Sequence, residues 1–175
     1  MSEIAKAEIS AWYDEYSKAV LSFILIIVQD YQQAEDLTHD TFVKAYLNHS
    51  SFQKQCSEKT WLFTIAHNVT IDYIKKRKPL VQMKEAFFAK RDMNPLPEEI
   101  LQIKEESYEL FKAIGEMKTS YKKVMILRKI QGFSIEETAN ILHWSESKVK
   151  STLHRAVPFL KKQLIKEGYL YESTI

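Results

Sequence analysis

The stretch Ser134-Ile135-Glu136-Glu137-Thr138-Ala139-Asn140-Ile141-Leu142-His143-Trp144-Ser145-Glu146-Ser147-Lys148-Val149-Lys150-Ser151-Thr152-Leu153-His154-Arg155-Ala156 decides the fold. Ser134 with Glu137 three positions later is a capping box, which opens a short helix over Ile135 to Leu142. His143-Trp144 breaks it, and Ser145 caps a longer helix in which Val149, Leu153, Ala156 and Leu160 recur at helical spacing. Two helices in this arrangement form a helix-turn-helix. Where two backbones cross steeply a small residue is needed, and Ala139 fits, with Val149 as the buried branched residue facing it. The rest of the second helix carries Ser147, Lys148, Lys150, Ser151, His154 and Arg155. Small polar and basic side chains on one exposed face suit a major groove, where some contacts hold phosphates and others read base edges. The alternative is a packed helical pair with no DNA role. At the turn the chain needs a left-handed residue, usually glycine, and histidine tolerates that conformation at some cost. Pro158 is expected to kink or end the second helix.

The same reading extends outward. Trp12, Tyr16, Ala19, Val20, Phe23 and Ile27 lie three and four apart, on one face of a first helix. Asp30 caps a second, with Gln33 as capping-box partner, running to about Tyr46. Asn48-His49-Ser50-Ser51 reads as a loop. Ser57 caps a third helix to about Lys78, ended by Pro79, with Lys75, Lys76, Arg77 and Lys78 in its last turn, where the helix dipole favours cations. Asn94-Pro95-Leu96-Pro97 cannot continue a helix, so residues 80–102 read as a flexible linker. A second helical block begins near Ile100, with Leu110, Ile114, Met117, Tyr121, Val124 and Leu127 as its apolar positions. The fold class is therefore all-α: two small helical domains, residues 1–79 and 103–175, joined by a linker.

Composition narrows the function. The chain has 175 residues, 45% hydrophobic and 27% charged, ordinary for a folded protein. Three glycines argue against Gly-rich phosphate loops and hairpin folds. One cysteine, Cys56, excludes an internal disulfide framework and a Cys-based zinc site, and it reads as a bystander or a redox-sensitive contact. The longest apolar run, Phe23 to Val28, is far short of the ~20 residues that span a bilayer, and the start lacks a signal-peptide pattern. The expectation is a cytoplasmic protein with no membrane insertion, no metal and no cofactor. The histidines are scattered, and no paired carboxylates converge with one of them, so an enzyme is not expected. The net charge of +2 is segregated: residues 1–48 carry eight acids and three bases, whereas 49–79 carry six bases and two acids. Residues 144–175 carry six bases and three acids. Two basic blocks suggest polyanion-facing surfaces, and an acidic start suggests a different partner.

Two constellations sharpen that division. Glu35, Asp36, His39 and Asp40 fall one, three and four apart, a solvent-facing stripe opposite Ala34, Leu37, Thr41 and Ala45. The third helix interleaves Trp61, Phe63, His67, Asn68, Asp72, Tyr73, Lys75, Lys76 and Arg77. Aromatic faces can stack unpaired bases while cations track a strand's backbone. Trp61 and Ile65, four apart, are expected in the core. Lys122, Lys123, Arg128 and Lys129 could form a further cationic surface or a plain solvated face.

Three segments together resemble the extracytoplasmic-function (ECF, group 4) sigma factors of bacterial RNA polymerase. They are Ala34 to Tyr46 (similar to region 2.2), Glu58 to Lys78 (regions 2.3 and 2.4), and Phe133 to Ala139 through Lys150 to Ala156 (region 4.2). The resemblance spans about residues 8–165. It implies a promoter-recognition factor for core RNA polymerase that acts through −10 and −35 elements in promoter DNA. The stripe Glu35, Asp36, His39 and Asp40 would meet the β′ clamp coiled coil. The loop from Ser50 to Ser57, including Phe52, would capture an extruded −10 base together with Trp61 and Asn68, while Asp72, Lys75, Lys76 and Arg77 would contact adjacent DNA. Lys150, Ser151, His154 and Arg155 would read the −35 element, with Ser147 and Lys148 near phosphates. Val157 stands where the family often has a further arginine, so the phosphate grip at that end is expected to be weaker or differently placed. The resemblance also implies a β flap contact for the second domain, a stress or envelope response, and control by an anti-sigma factor. The rival reading is a self-sufficient helix-turn-helix regulator that binds duplex DNA without polymerase.

Overall fold

The computed structural model describes residues 3–84 and 105–168. All regular structure among them is helical. The chain divides into two compact units, Met1–Leu96 and Pro97–Ile175. The expected linker and the helix start near Ile100 lie largely outside the described residues.

The first unit is three helices packed on one another: α1 (Glu3–Val28), α2 (Tyr31–Leu47) and α3 (Glu58–Lys84). Its core is drawn from all three, with Val20, Phe23 and Ile24 of α1, Ala34 and Ala45 of α2, and Leu62, Phe63 and Ala66 of α3 fully enclosed. Phe23 and Phe63 join α1 to α3 with ring centroids 5.5 Å apart. Several threonines are buried without cost in unmade hydrogen bonds, because Thr38, Thr41 and Thr70 donate to the carbonyls four residues back at 2.7 Å. Asp30 caps α2 by accepting from the Gln33 N–H at 3.1 Å, and Ser57 caps α3 by accepting from the Thr60 N–H at 3.1 Å.

Two expectations fail here. The third helix was to stop at Pro79, yet α3 continues to Lys84. A proline removes one backbone donor and crowds one carbonyl, and a helix already propagated for more than five turns can absorb that single loss. Lys75, Lys76 and Arg77 consequently lie two turns before the helix end, where the dipole has little effect. Trp61 and Ile65 are half-buried and not core: the enclosed face of α3 runs through Leu62, Phe63, Ala66, Val69 and Thr70, one position round the helix.

The second unit contains α4 (Glu105–Gly115), α5 (Thr119–Met125), α6 (Ile135–Leu142) and α7 (Glu146–Lys166). A π-helical turn, Ile126–Ile130, continues α5 and closes with Gln131 N–H donating to the Ile126 carbonyl at 2.8 Å. Gly132, at φ 76°, then redirects the chain into α6. Helices α4, α5 and α6 all pack on α7. Ile114, Val124, Ile126, Leu127, Ile141 and Val149 are at most 1% exposed. The capping box is complete: Ser134 accepts from the Glu137 N–H at 3.0 Å, and Glu137 accepts from the Ser134 N–H at 2.7 Å. His143 ends α6 at φ 55°, ψ 40°, the left-handed conformation the turn requires.

Pro158 lies inside α7, which runs on to Lys166 instead of ending there. As at Pro79, one missing donor is tolerated within a long helix, here because Ala156 and Leu160 on either side are buried. Lys122 and Lys123, offered as an exposed cationic surface, are each only 8% exposed. Their α5 positions turn inward, and long aliphatic stems can line a core with the amine at its edge.

Candidate functional site

In the first unit, Glu35, Asp36, His39 and Asp40 are all exposed on α2, while Ala34, Leu37, Thr41 and Ala45 are buried. The stripe is thus presented to solvent because the other face of the helix is used up by the core. Tyr31 Oη donates to Glu35 Oε1 at 2.7 Å, steadying one of its carboxylates.

Between α2 and α3 the chain makes a 3₁₀ turn, His49–Ser51, then a loop to Ser57. Phe52 is half-buried in an aromatic cluster. Its ring centroid lies 5.0 Å from Trp61 of α3 and 5.5 Å from Trp12 of α1, and Trp12 lies 6.1 Å from Trp61. His49 stacks on Trp12 at 5.7 Å, and its Nε2 is 2.6 Å from Glu8 Oε2. From Gln53 to Ser57 the loop is exposed, with Lys54 at φ 56°. Phe52 and Trp61 are therefore brought together, each with part of its ring in contact and part open. Trp12, His49 and Glu8 were not singled out for this site from sequence. Periodicity places Trp12 on the apolar face of the first helix and Trp61 with Ile65 in the core, so it carries no signal that the two rings meet at this loop.

Along α3, Asn68, Asp72, Lys75 and Lys76 are exposed. Spaced by four, seven and eight from Asn68, they share one face below Trp61. From Trp61 to Lys76 this face extends for about 22 Å at 1.5 Å per residue. Arg77 is held close to the helix: it donates to Tyr73 Oη at 2.6 Å and sits 5.7 Å from that ring's centroid. Tyr16 of α1 donates to Glu58 Oε1 at 3.2 Å and fixes the start of α3. Burial, with Glu15 and Glu58 nearby, pushes the Tyr16 hydroxyl up to about 12, so it remains a donor.

In the second unit, Ser147, Lys148, Lys150, Ser151, His154 and Arg155 are all exposed on α7. All but Lys148 line one shallow open depression. Ser145 caps α7 by accepting from the Lys148 N–H at 3.2 Å. The Lys148 ammonium sits 4.2 Å from the Trp144 ring centroid, which keeps it beside the helix N-terminus. Lys150 is 3.5 Å from Glu146, an exposed pair that a polyanion would readily displace. Val149 and Ala156, buried behind this face, lock it against the rest of the unit.

Among the described residues no group of three potential metal-ligating side chains occurs, and no helix is long and apolar enough to cross a membrane.

Comparison with known proteins matches residues 12–79 to the family described as Sigma-70 region 2 and residues 107–160 to Sigma-70, region 4. The ECF RNA polymerase sigma factor SigX of Bacillus subtilis (strain 168) is 36% identical over 157 residues, covering 87% of this chain and 81% of SigX. The RNA polymerase sigma factor YlaC of the same organism is 35% identical over 156 residues, covering 88% and 90%. Among solved structures, the sigma factor RpoE in complex with the anti-sigma factor NepR, from Bartonella quintana, superimposes with a TM-score of 0.74 at 26% identity. That match covers 90% of this chain and 96% of RpoE.

Proposed function

The chain belongs to the extracytoplasmic-function sigma factors of RNA polymerase, and we propose that its described surfaces divide the work of promoter-specific initiation among themselves. The observation that carries this reading is the presence in one chain, in this order, of both matched segments, each presenting its charged face to solvent.

On this reading Glu35, Asp36, His39 and Asp40 dock on the β′ clamp coiled coil, where complementary charge sets register and speeds encounter more than it adds affinity. The Phe52 loop, Trp61 and Asn68 receive a base extruded from the −10 element. Asp72, Lys75, Lys76 and Arg77 follow the DNA beside it. Extrusion costs a few kcal/mol, so opening draws on the whole polymerase–DNA contact. Lys150, Ser151, His154 and Arg155 enter the major groove at the −35 element, with Ser147 and Lys148 on phosphates and the β flap supporting the second domain. The protein acts as a specificity factor, and RNA synthesis is left to the polymerase. It works in the cytoplasm with the polymerase. An anti-sigma factor controls it, as the complex of RpoE with NepR illustrates.

The test is reconstitution: core polymerase with this protein on genomic promoter fragments, with start sites mapped. Initiation at defined sites that depend on both elements supports the reading. Tight, sequence-specific duplex binding by the protein alone, with no initiation on adding core enzyme, would instead favour the self-sufficient regulator.

A further inference from the structure

The Phe52 loop is held by a group just outside the residues matched to Sigma-70 region 2. The matched residues begin at 12, whereas Glu8 lies one helical turn earlier on α1. Its carboxylate meets His49 Nε2 at 2.6 Å, across 41 residues of sequence. His49 opens the 3₁₀ turn, and its carbonyl accepts from the Phe52 N–H at 3.0 Å, so the Glu8 contact reaches Phe52 through a single residue. The His49 ring also lies on Trp12, which packs edge-on against Phe52. At the other end Ser57 is fixed by Thr60, whose N–H and hydroxyl both lie within 3.1 Å of the Ser57 hydroxyl. Both ends of the loop are thereby anchored, while Gln53 to Cys56 between Phe52 and Ser57 are exposed.

We propose that Glu8 and His49 are positioning residues for promoter opening: together they tie the turn before Phe52 to α1, so that the loop meets the displaced strand already shaped. This rests on the sigma-factor reading above. A loop that must be ordered on binding loses free energy that a preformed loop keeps, and the loss falls on the step in which the strand is captured. Neither residue need touch DNA. The pair is partly exposed, with side-chain accessibilities of 20% for His49 and 39% for Glu8, so its effect is modest.

The experiment compares the full-length wild type, Glu8→Ala, His49→Ala and the double variant, each as holoenzyme on one promoter in two forms: fully duplex, and pre-melted across the −10 region. Open-complex formation on duplex, read by permanganate reactivity of unpaired thymines, should fall about threefold to tenfold for each single variant. The double variant should fall no further than the worse single, as expected for two partners of one contact. On the pre-melted template all four should initiate equally, because reannealing of the duplex no longer competes with capture of the strand and a weaker capture step stops limiting initiation. Core-polymerase binding should be unchanged. A merely structural role would depress both templates alike, and that result overturns the proposal. So does wild-type opening by Glu8→Ala, or an additive loss in the double variant. Failure of the wild type itself to initiate on either template would instead overturn the sigma-factor reading on which the proposal rests.

Discussion

Val149 and Lys150 are neighbours on α7 with opposite surroundings, and truncating each separates packing from recognition. Val149 is fully enclosed, whereas Lys150 is exposed. Replacing Val149 by Ala removes two carbon groups from a closed interior. At about 0.8 kcal/mol per buried methylene the transfer loss is about 1.6 kcal/mol. A cavity of roughly 50 Å³ adds about 1 kcal/mol at about 24 cal/mol per Å³. The sum is about 2–3 kcal/mol, a large share of the roughly 4–10 kcal/mol available to a domain of this size. Native-state hydrogen exchange on the full chain reads the loss locally. Amides of α6 and α7 that exchange through opening of the second unit should speed up about 30- to 150-fold, at about 1.4 kcal/mol per decade. Those of α1, α2 and α3 should not change, since Val149 belongs to the second compact unit. Lys150→Ala should leave exchange nearly untouched, because its exposed pair with Glu146 is worth well under about 1 kcal/mol. An acceleration below about fivefold in α6 and α7 for Val149→Ala would refute the packing account. The α7 surface would then have to be held in place by something other than the core beneath it.

Other expectations concern the two charged faces and one buried amine. Arg155→Ala should weaken −35 recognition by about 1–3 kcal/mol per lost base contact, seen as reduced initiation on promoters that depend on that element; unaltered promoter choice would remove Arg155 from the reading face. Asp40→Lys reverses a charge on an exposed position of α2 and should cut core-polymerase capture in a pull-down while leaving the thermal midpoint within a few degrees; undiminished capture would refute the acidic-stripe assignment. Burial lowers the Lys122 ammonium from 10.5 to about 8. Between those two pH values the unfolded chain keeps a proton that the folded chain has released, so this group makes stability rise with pH across that window. Lys122→Met should therefore raise the melting temperature at pH 7, with the advantage shrinking as pH approaches 10.5. A gain that is constant across pH would mean that desolvation of the charge is not the cause.

The two sites differed in how far they could be read beforehand, and the reason is where their parts come from. In the second unit the whole exposed face from Ser147 to Arg155 lies on one helix, and that helix announces itself locally, through Ser145 as cap and Val149 and Ala156 as the buried positions. The turn before it is equally local, as the reciprocal Ser134 and Glu137 bonds and the left-handed His143 demonstrate. Spacing alone therefore assigns each side chain to a face. The stripe on α2 was legible for the same reason. Where the reading failed, the deciding contact was either a tertiary one or the tolerance of a long helix. Lys122 and Lys123 look like solvated cations to any local rule, yet packing of α5 turns them inward. Pro79 and Pro158 are reliable breakers in short peptides, but each removes only one hydrogen bond from a helix of more than 20 residues.

The Phe52 loop shows why this difference matters for function. Apart from Phe52 and Cys56 its residues are polar, its sequence has no helical period, and its few local bonds do not by themselves place Phe52. The shape comes from Trp12 and Glu8 on α1, Trp61 on α3 and His49 at the loop's own start, none of which is related to Phe52 by a repeating interval. A recognition helix can be identified by periodicity because its own backbone carries the geometry. On the proposed reading the loop receives an extruded base, and such a loop must take its geometry from neighbours, since the backbone that faces the strand cannot also be buried. Its determinants consequently lie in whichever helices flank it, here as far back as residue 8, and only the folded chain brings them together.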